Sequence, residues 1–168
     1  MCFFFQNNVR IYTLSKRDTS NIIDKMNKRW PLTLDFGKPQ KVKIAEIDER
    51  SFLLLFPNFE AINLDDLIIP FLKRNEILQN FPYVEVDQGA VPHICNGADV
   101  MRPGIVGWGT FKKDDIIGVR ESNYKKFIAV GMALVDQSDM EKMKKGAAVK
   151  NFHYVGDKFW EAYKQIQS

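Results

Sequence analysis

Two Gly-Ala pairs, Gly89-Ala90 and Gly97-Ala98, stand eight residues apart and bracket the apolar segment Val91-Pro92-His93-Ile94-Cys95. No other stretch limits the local fold so tightly. Asp87 or the Gly89 backbone can accept the first amides of a helix, Pro92 fits a first turn, and Gly97 offers a left-handed stop. A helix held between those signals, with Val91, Ile94 and Cys95 inward, is about two turns long and needs tertiary packing to persist. Val100-Met101 then starts a strand and Pro103-Gly104 is a turn dipeptide. Two readings follow. The glycine-opened loops leave backbone N–H groups open to an anion or a nucleotide edge, or they simply fold a compact β domain. Spacing alone favours the second, because glycine turns are commoner than anion sites.

Beyond Ile105 the sequence is dense in short strands, at residues 116–119, 127–135 and 149–154. Gly107-Trp108-Gly109 and Ser122-Asn123 supply turns. Ser138 and Glu141 form a capping box that starts a helix carrying Met140 and Met143, and Gly146 stops it. Five or six short strands with little helix predict a small, closed or nearly closed barrel.

The first half reads differently. Residues 9–14 alternate as a strand, Ser15 is an N-cap with Asp18 three residues on, and Ile22, Ile23, Met26 and Trp30 recur at helical spacing until Pro31. Residues 41–47 and 52–56 flank a turn at 48–51 and form a hairpin, with Lys41 and Lys43 on one strand face. Asn63 is read as the cap of a helix through Leu64, Leu67, Ile68, Phe71 and Leu72, kinked or ended at Pro70. The division falls near Phe81-Pro82, giving an α+β unit over residues 1–81 and a second unit over 82–168.

The 168 residues are 45% hydrophobic and 27% charged, which excludes disorder. No apolar run approaches the roughly 18 residues of a membrane span. Met1-Cys2-Phe3-Phe4-Phe5 lacks a basic lead-in and is read as packed apolar surface rather than a signal segment. Cys2 and Cys95 have no metal-ligand spacing, so a reducing cytoplasm is the expected home, and Cys95 is read as a small buried hydrophobe. Net charge is +3, with 12 basic and 10 acidic residues over 1–81 and 10 of each over 82–157. Any nucleic-acid binding must therefore come from a local patch.

An enzyme is disfavoured. His93 and His153 are the only histidines, neither lies at a spacing that names a nucleophile, and Gly104-Ile105-Val106-Gly107-Trp108-Gly109 is no phosphate-loop motif. No cofactor and no metal are expected. The apolar residues Phe3, Phe4, Phe5 and Trp30 motivate a further reading, a protein-interaction subunit that docks through its first half, although such residues are more often core.

The order Val86-Asp87-Gln88-Gly89-Ala90, Gly97-Ala98-Asp99-Val100-Met101-Arg102-Pro103-Gly104-Ile105, Ala129-Val130-Gly131, Gly146 and Asn151-Phe152-His153-Tyr154-Val155-Gly156-Asp157 resembles a PUA domain. PUA domains are RNA-binding pseudobarrels, also found on RNA-modification enzymes. The His153-Tyr154 ending, the trailing Trp160 and the α+β unit in front are most similar to the branch containing the malignant T-cell-amplified sequence protein, ligatin and archaeal homologues.

The resemblance covers residues 82–160 with specific motifs, and the first half by length and element order alone. It implies a pre-PUA α+β unit followed by a PUA β-pseudobarrel. It also implies an RNA-binding role in translation, with tRNA, ribosomal RNA and the small ribosomal subunit as partners, beside a protein bearing an initiation-factor-like domain. In the family, RNA lies against the short helix and the loop before it, which points to Gly89, Ala90, Gly97, Ala98 and Arg102. Lys112, Lys113, Lys125 and Lys126 are candidates for a basic rim. Gln88 stands where many members carry lysine, and Arg102 where eukaryotic members are uncharged.

Overall fold

The computed structural model of the chain describes residues 9–36 and 38–168. The expectation for Met1 to Phe5 lies outside the described residues. Among those described, one antiparallel sheet runs in chain order through β1 (Ile11–Thr13), β2 (Lys43–Glu46), β3 (Ser51–Leu55), β4 (Glu60–Leu64) and β5 (Leu67–Pro70). Helix α1 (Lys16–Arg29) starts where expected, with the Ser15 hydroxyl accepting the Asp18 amide at 3.1 Å. Its apolar side brings Met26 and Trp30 into the core of that sheet. Trp30 is only 5% exposed and donates its indole N–H to the Ile68 carbonyl at 2.9 Å, so it is a core residue and not a docking surface.

The helix expected over residues 64–72 is not there. That stretch is the β4–β5 hairpin, turning at Asp65 with φ of +51°. Leu64, Leu67, Ile68 and Phe71 satisfy helical spacing, but Ile68, Ile69 and Pro70 are consecutive and all buried, a pattern suited to a strand covered on both faces. Pro70 is tolerated because β5 is an edge strand, where a missing N–H breaks no ladder bond on the open side. A single helical turn, α2 (Asn75–Leu78), which the sequence reading did not anticipate, follows.

The second sheet collects β6 (Tyr83–Val86), β7 (Val100–Met101), β8 (Ile105–Trp108), β9 (Ile116–Glu121), β10 (Phe127–Ala133) and β11 (Ala147–Tyr154), with α3 (Val91–Ile94) after β6 and α4 (Gln137–Lys142) after β10. Its spatial order is β7-β11-β10-β9-β6-β8, and only the β6–β9 pair is parallel. The two edge strands β7 and β8 are neighbours in the chain, joined by a 3₁₀ turn at Arg102–Gly104. A twisted sheet can meet that constraint only by curling until its edges approach, which gives the nearly closed barrel expected from the strand density. Its interior holds Val84, Val86, Ile94, Val119, Ala129 and Val149, among others.

Three local expectations are corrected. Gly107 and Trp108 are strand residues of β8 and not a turn, because they pair with Glu85 and Val84 of β6. The N-cap of α4 is Asp136 rather than Ser138, so the helix begins two residues earlier. The Glu141 carboxylate accepts from the Trp108 indole at 3.0 Å and the Gln137 amide at 2.9 Å instead of reaching back to cap it. The bracketed helix α3 is one turn long rather than two, because Cys95 and Gly97 already turn the chain, Gly97 at φ +96°.

Helix α5 (Lys158–Gln167) leaves the barrel and packs Phe159, Ala162 and Tyr163 into the first sheet's core, alongside Ile116 and Val130 of the barrel. The hinge of this arrangement is His153, with 0% exposure. Its Nδ1 lies 2.7 Å from the Asp157 carboxylate, its Nε2 accepts the Leu72 amide at 3.3 Å, and its ring stacks on Phe71 at 4.9 Å. Asp157 also accepts the Trp160 and Tyr154 amides, so one carboxylate caps α5 and ends β11.

Candidate functional site

Beside α3 lies a cleft of about 510 Å³, within the size range of small-ligand sites. Ala90, Ile94, Ala98, Met101 and Pro103 supply its apolar walls, Gly89, His93 and Gly104 add to its lining, and Asp87 and Asp99 place carboxylates there. The sequence-derived residues Gly89, Ala90 and Ala98 therefore converge on one cavity. Gly97 sits at its margin with its Cα against the Tyr154 ring, where an added Cβ would meet the hydroxyl at 3.2 Å.

Each wall has a local cause. The Asp87 amide donates to the Gly104 carbonyl at 2.9 Å, bringing the loops before α3 and after β7 together. Asp87 Oδ1 accepts at 2.9 Å the amide of Ala90, the residue that caps α3, and so fixes the loop that enters the helix. Asn151 of β11 holds the far side, donating its side-chain amide to the carbonyls of Ile94 and Ala98, each at 3.0 Å. Asp99 accepts the Asn151 amide at 3.0 Å and faces Lys150 at 3.7 Å. Sequence reading missed Asp99, Met101, His93 and Asn151 as a group. The Asn151 partners lie more than 50 positions away, so no local pattern announces them.

Arg102 is committed elsewhere. Its Nε donates to the Met140 carbonyl at 2.8 Å and a terminal nitrogen to the Ile105 carbonyl at 3.1 Å, while the guanidinium lies 5.2 Å from the Trp108 ring centroid. These contacts fasten α4 to the β7–β8 turn.

The four lysines separate into two groups. Val86 of β6 pairs with Glu121 of β9, so the Gly89 loop lies at the Glu121 end of that strand, where Lys125 and Lys126 follow. Lys112 and Lys113 precede Ile116 at the other end, roughly 17 Å away for a six-residue strand. There the Lys113 amide donates to Asp136 at 2.8 Å, and Arg29 of α1 donates to the Asp114 carbonyl at 2.9 Å. Lys125 makes a close ion pair with the buried Glu85, which Arg120 also bridges at 2.9 Å. Lys126 is exposed and has no ion pair among the described residues.

The turn carrying these lysines is built on Glu121, 7% exposed. Its carboxylate accepts the amides of Asn123 and Tyr124, each at 2.8 Å, the Lys126 amide at 3.1 Å and the Gln88 side chain at 2.8 Å. Gln88 thus couples the turn to the cleft loop. Burial pushes the Glu121 carboxyl up, but the Lys126 amide, the Gln88 amide and the remaining donors outweigh it and hold its pKa below the ordinary glutamate range. Glu85 follows the same balance, with burial opposed by Lys125 and Arg120.

A depressed folded-state pKa stabilises the fold above the unfolded value of about 4.3 and is lost as pH falls through the lower native value. Stability is therefore expected to drop below about pH 4. Glu121→Gln is expected to be less stable than wild type at pH 7 and to lose less between pH 5 and 3 in urea titrations. Equal acid sensitivity of the two proteins would show that Glu121 does not carry the effect.

The comparisons with known proteins agree with this architecture. The PUA domain family matches residues 82–155. An uncharacterised protein of Methanocaldococcus jannaschii is 40% identical over 155 residues, spanning 89% of this chain and 94% of its own. Translation machinery-associated protein 20 of Schizosaccharomyces pombe is 31% identical over 134 residues, 73% of this chain and 74% of its own. The crystal structure of a hypothetical protein from Pyrococcus horikoshii superposes with a TM-score of 0.75 at 36% identity, over 91% of this chain and 99% of that one. The match to the barrel, together with relatives that span both sheets, means that the chain belongs to the PUA-domain family that includes translation machinery-associated protein 20.

Proposed function

We propose that this protein is a non-catalytic RNA-binding factor of the translation apparatus whose cleft receives the single-stranded acceptor end of a tRNA. The observation that carries this reading is the chemistry of the cleft. Its apolar walls suit a nucleobase, and its charged groups at the lining are the carboxylates of Asp87 and Asp99. A carboxylate repels an internal phosphate, whereas the terminal ribose of a tRNA has free 2′ and 3′ hydroxyls that donate hydrogen bonds. Asp87 Oδ2 has no partner among the described residues and is available to accept one. An end without a phosphate is therefore favoured over an internal stretch of ribosomal RNA.

His153 is committed to the fold, and His93 adds an imidazole to the lining of the cleft. The small ribosomal subunit and a protein with an initiation-factor-like domain are carried as its assembly partners. The name of the fission yeast relative supports that setting.

The test is binding of deacylated tRNA and of the same tRNA bearing a 3′-terminal phosphate, at two salt concentrations. The phosphate is expected to weaken binding roughly tenfold. Gly89→Glu adds a carboxylate where a Cβ meets only Asp87 Oδ1 at 3.4 Å, so it leaves the fold intact. It is expected to weaken tRNA binding roughly tenfold with an unchanged melting temperature. Equal affinity for both tRNA forms would move the acceptor end away from this cleft, and no binding to tRNA or small subunits at low salt would overturn the reading.

A further inference from the structure

The turn over residues 121–126 carries a feature that neither the cleft nor the fold uses. Tyr124 is 80% exposed, the highest value among the exposed large hydrophobic residues. A tyrosine that stabilises a fold removes its ring from water, and this one does not. Only its backbone serves the turn, by donating to Glu121.

The turn itself is tied down by buried groups. Lys125 adopts φ of +60°, a conformation side chains rarely take and one that glycine would satisfy more easily. A lysine stands there because its ammonium reaches Glu85. Two buried carboxylates, Glu85 and Glu121, therefore hold the turn from its side chain and its amides. The Ser122 amide donates to the Val86 carbonyl at 3.0 Å, and Gln88 reaches Glu121 at 2.8 Å, so the turn is fixed against the loop that forms the cleft. Facing out from it are the Tyr124 ring and, two residues on, the Lys126 ammonium, which has no ion pair among the described residues.

We propose that Tyr124 is a stacking platform for an unpaired nucleobase of the bound RNA, next to the nucleotide in the cleft, with Lys126 on the adjoining phosphate. This rests on the RNA-binding reading above and extends its footprint beyond the cleft. An aromatic face beside a free cation matches single-stranded nucleic acid, where every base offers a π face and every linkage a negative charge. The preorganised turn lets that contact form without ordering a loop. Because stacking is tolerant of base identity, this contact adds affinity rather than sequence readout.

The experiment uses a 5′-fluorescein-labelled single-stranded RNA dodecamer with a free 3′ hydroxyl end, in intact form and with one abasic nucleotide walked through the last four positions. For the wild type, one abasic position is expected to raise Kd about tenfold. Tyr124→Ala is expected to raise Kd about tenfold on the intact RNA and to become indifferent to that abasic position. Tyr124→Phe keeps the ring and is expected to bind as wild type, and all three proteins should melt alike because the ring is exposed. Wild-type affinity in Tyr124→Ala, with the abasic penalty intact, overturns the stacking role. Absence of wild-type binding to both the dodecamer and tRNA removes the RNA-binding reading itself, and the platform with it.

Discussion

Gly131→Ala is expected to abolish the folded state at ordinary temperatures or to leave it only marginally stable. A Cβ at this position would lie 2.0 Å from the Lys150 carbonyl oxygen, 3.0 Å from its carbonyl carbon and 3.0 Å from a Val149 methyl. The closest obstructing atom is a backbone oxygen of the neighbouring strand, so no rotamer change relieves the clash. Gly131 sits where the β10–β11 register shifts between Val130 and Gly131, and the strands approach closely at this bulge. Relief requires β10 and β11 to separate, at the centre of the barrel sheet. The cost is expected to be about 4–5 kcal/mol or more, against a net stability of about 5–15 kcal/mol for a typical domain. Gly156→Ala is the control. It meets nothing within 4 Å and carries only a positive φ of +90°, so about 1 kcal/mol is expected. Urea unfolding followed by circular dichroism compares the two, and similar midpoints would show that the barrel can widen at the bulge.

The second large effect is expected at His153. The Leu72 amide donates to Nε2, which leaves Nδ1 as the nitrogen that donates to Asp157. The neutral ring thus joins three elements, the end of the first sheet, the last barrel strand and the start of α5. His153→Ala removes a ring stacked on Phe71 and edge-on to Phe159, leaves the Leu72 amide without its acceptor and takes one donor from a buried carboxylate. Cavity and unpaired groups together are expected to cost about 3–4 kcal/mol. His153→Phe restores the packing but not the hydrogen bonds and is expected to recover only part of that loss. Calorimetry adds a readout of the joint itself. Wild type is expected to unfold in one transition, and the alanine variant to separate the first sheet from the barrel into two. A single transition with unchanged midpoint would show that the shared apolar core, not this histidine, couples the sheets.

The local signals were reliable where one element answers to one stretch of chain. Ser15, the period of Met26 and Trp30, and Pro31 place α1 without reference to anything distant. Gly89, Pro92 and Gly97 place the short helix in the same way, and the strand density beyond it matches the barrel. The misreading at residues 64–72 shows the limit of that logic. A buried hairpin and a helix share apolar spacing over nine residues, and pairing with β4 decides between them.

Charge at the candidate site was beyond reach of the chain order for the same reason. Lys125, Lys126 and Arg102 look alike as cations in sequence, yet Glu85 takes the first and carbonyls of Met140 and Ile105 take the third, while Lys126 has no ion pair among the described residues. Lys112 and Lys113 lie at the opposite end of β9 from the Gly89 loop. Turns, caps and the bracketed helix were legible from the residues alone, because their energetics act within a few positions. Which polar groups stay unpaired at the cleft was settled by tertiary structure, because the partners that satisfy Asp99, Arg102 and Glu121 arrive from strands and helices as far as 52 residues away.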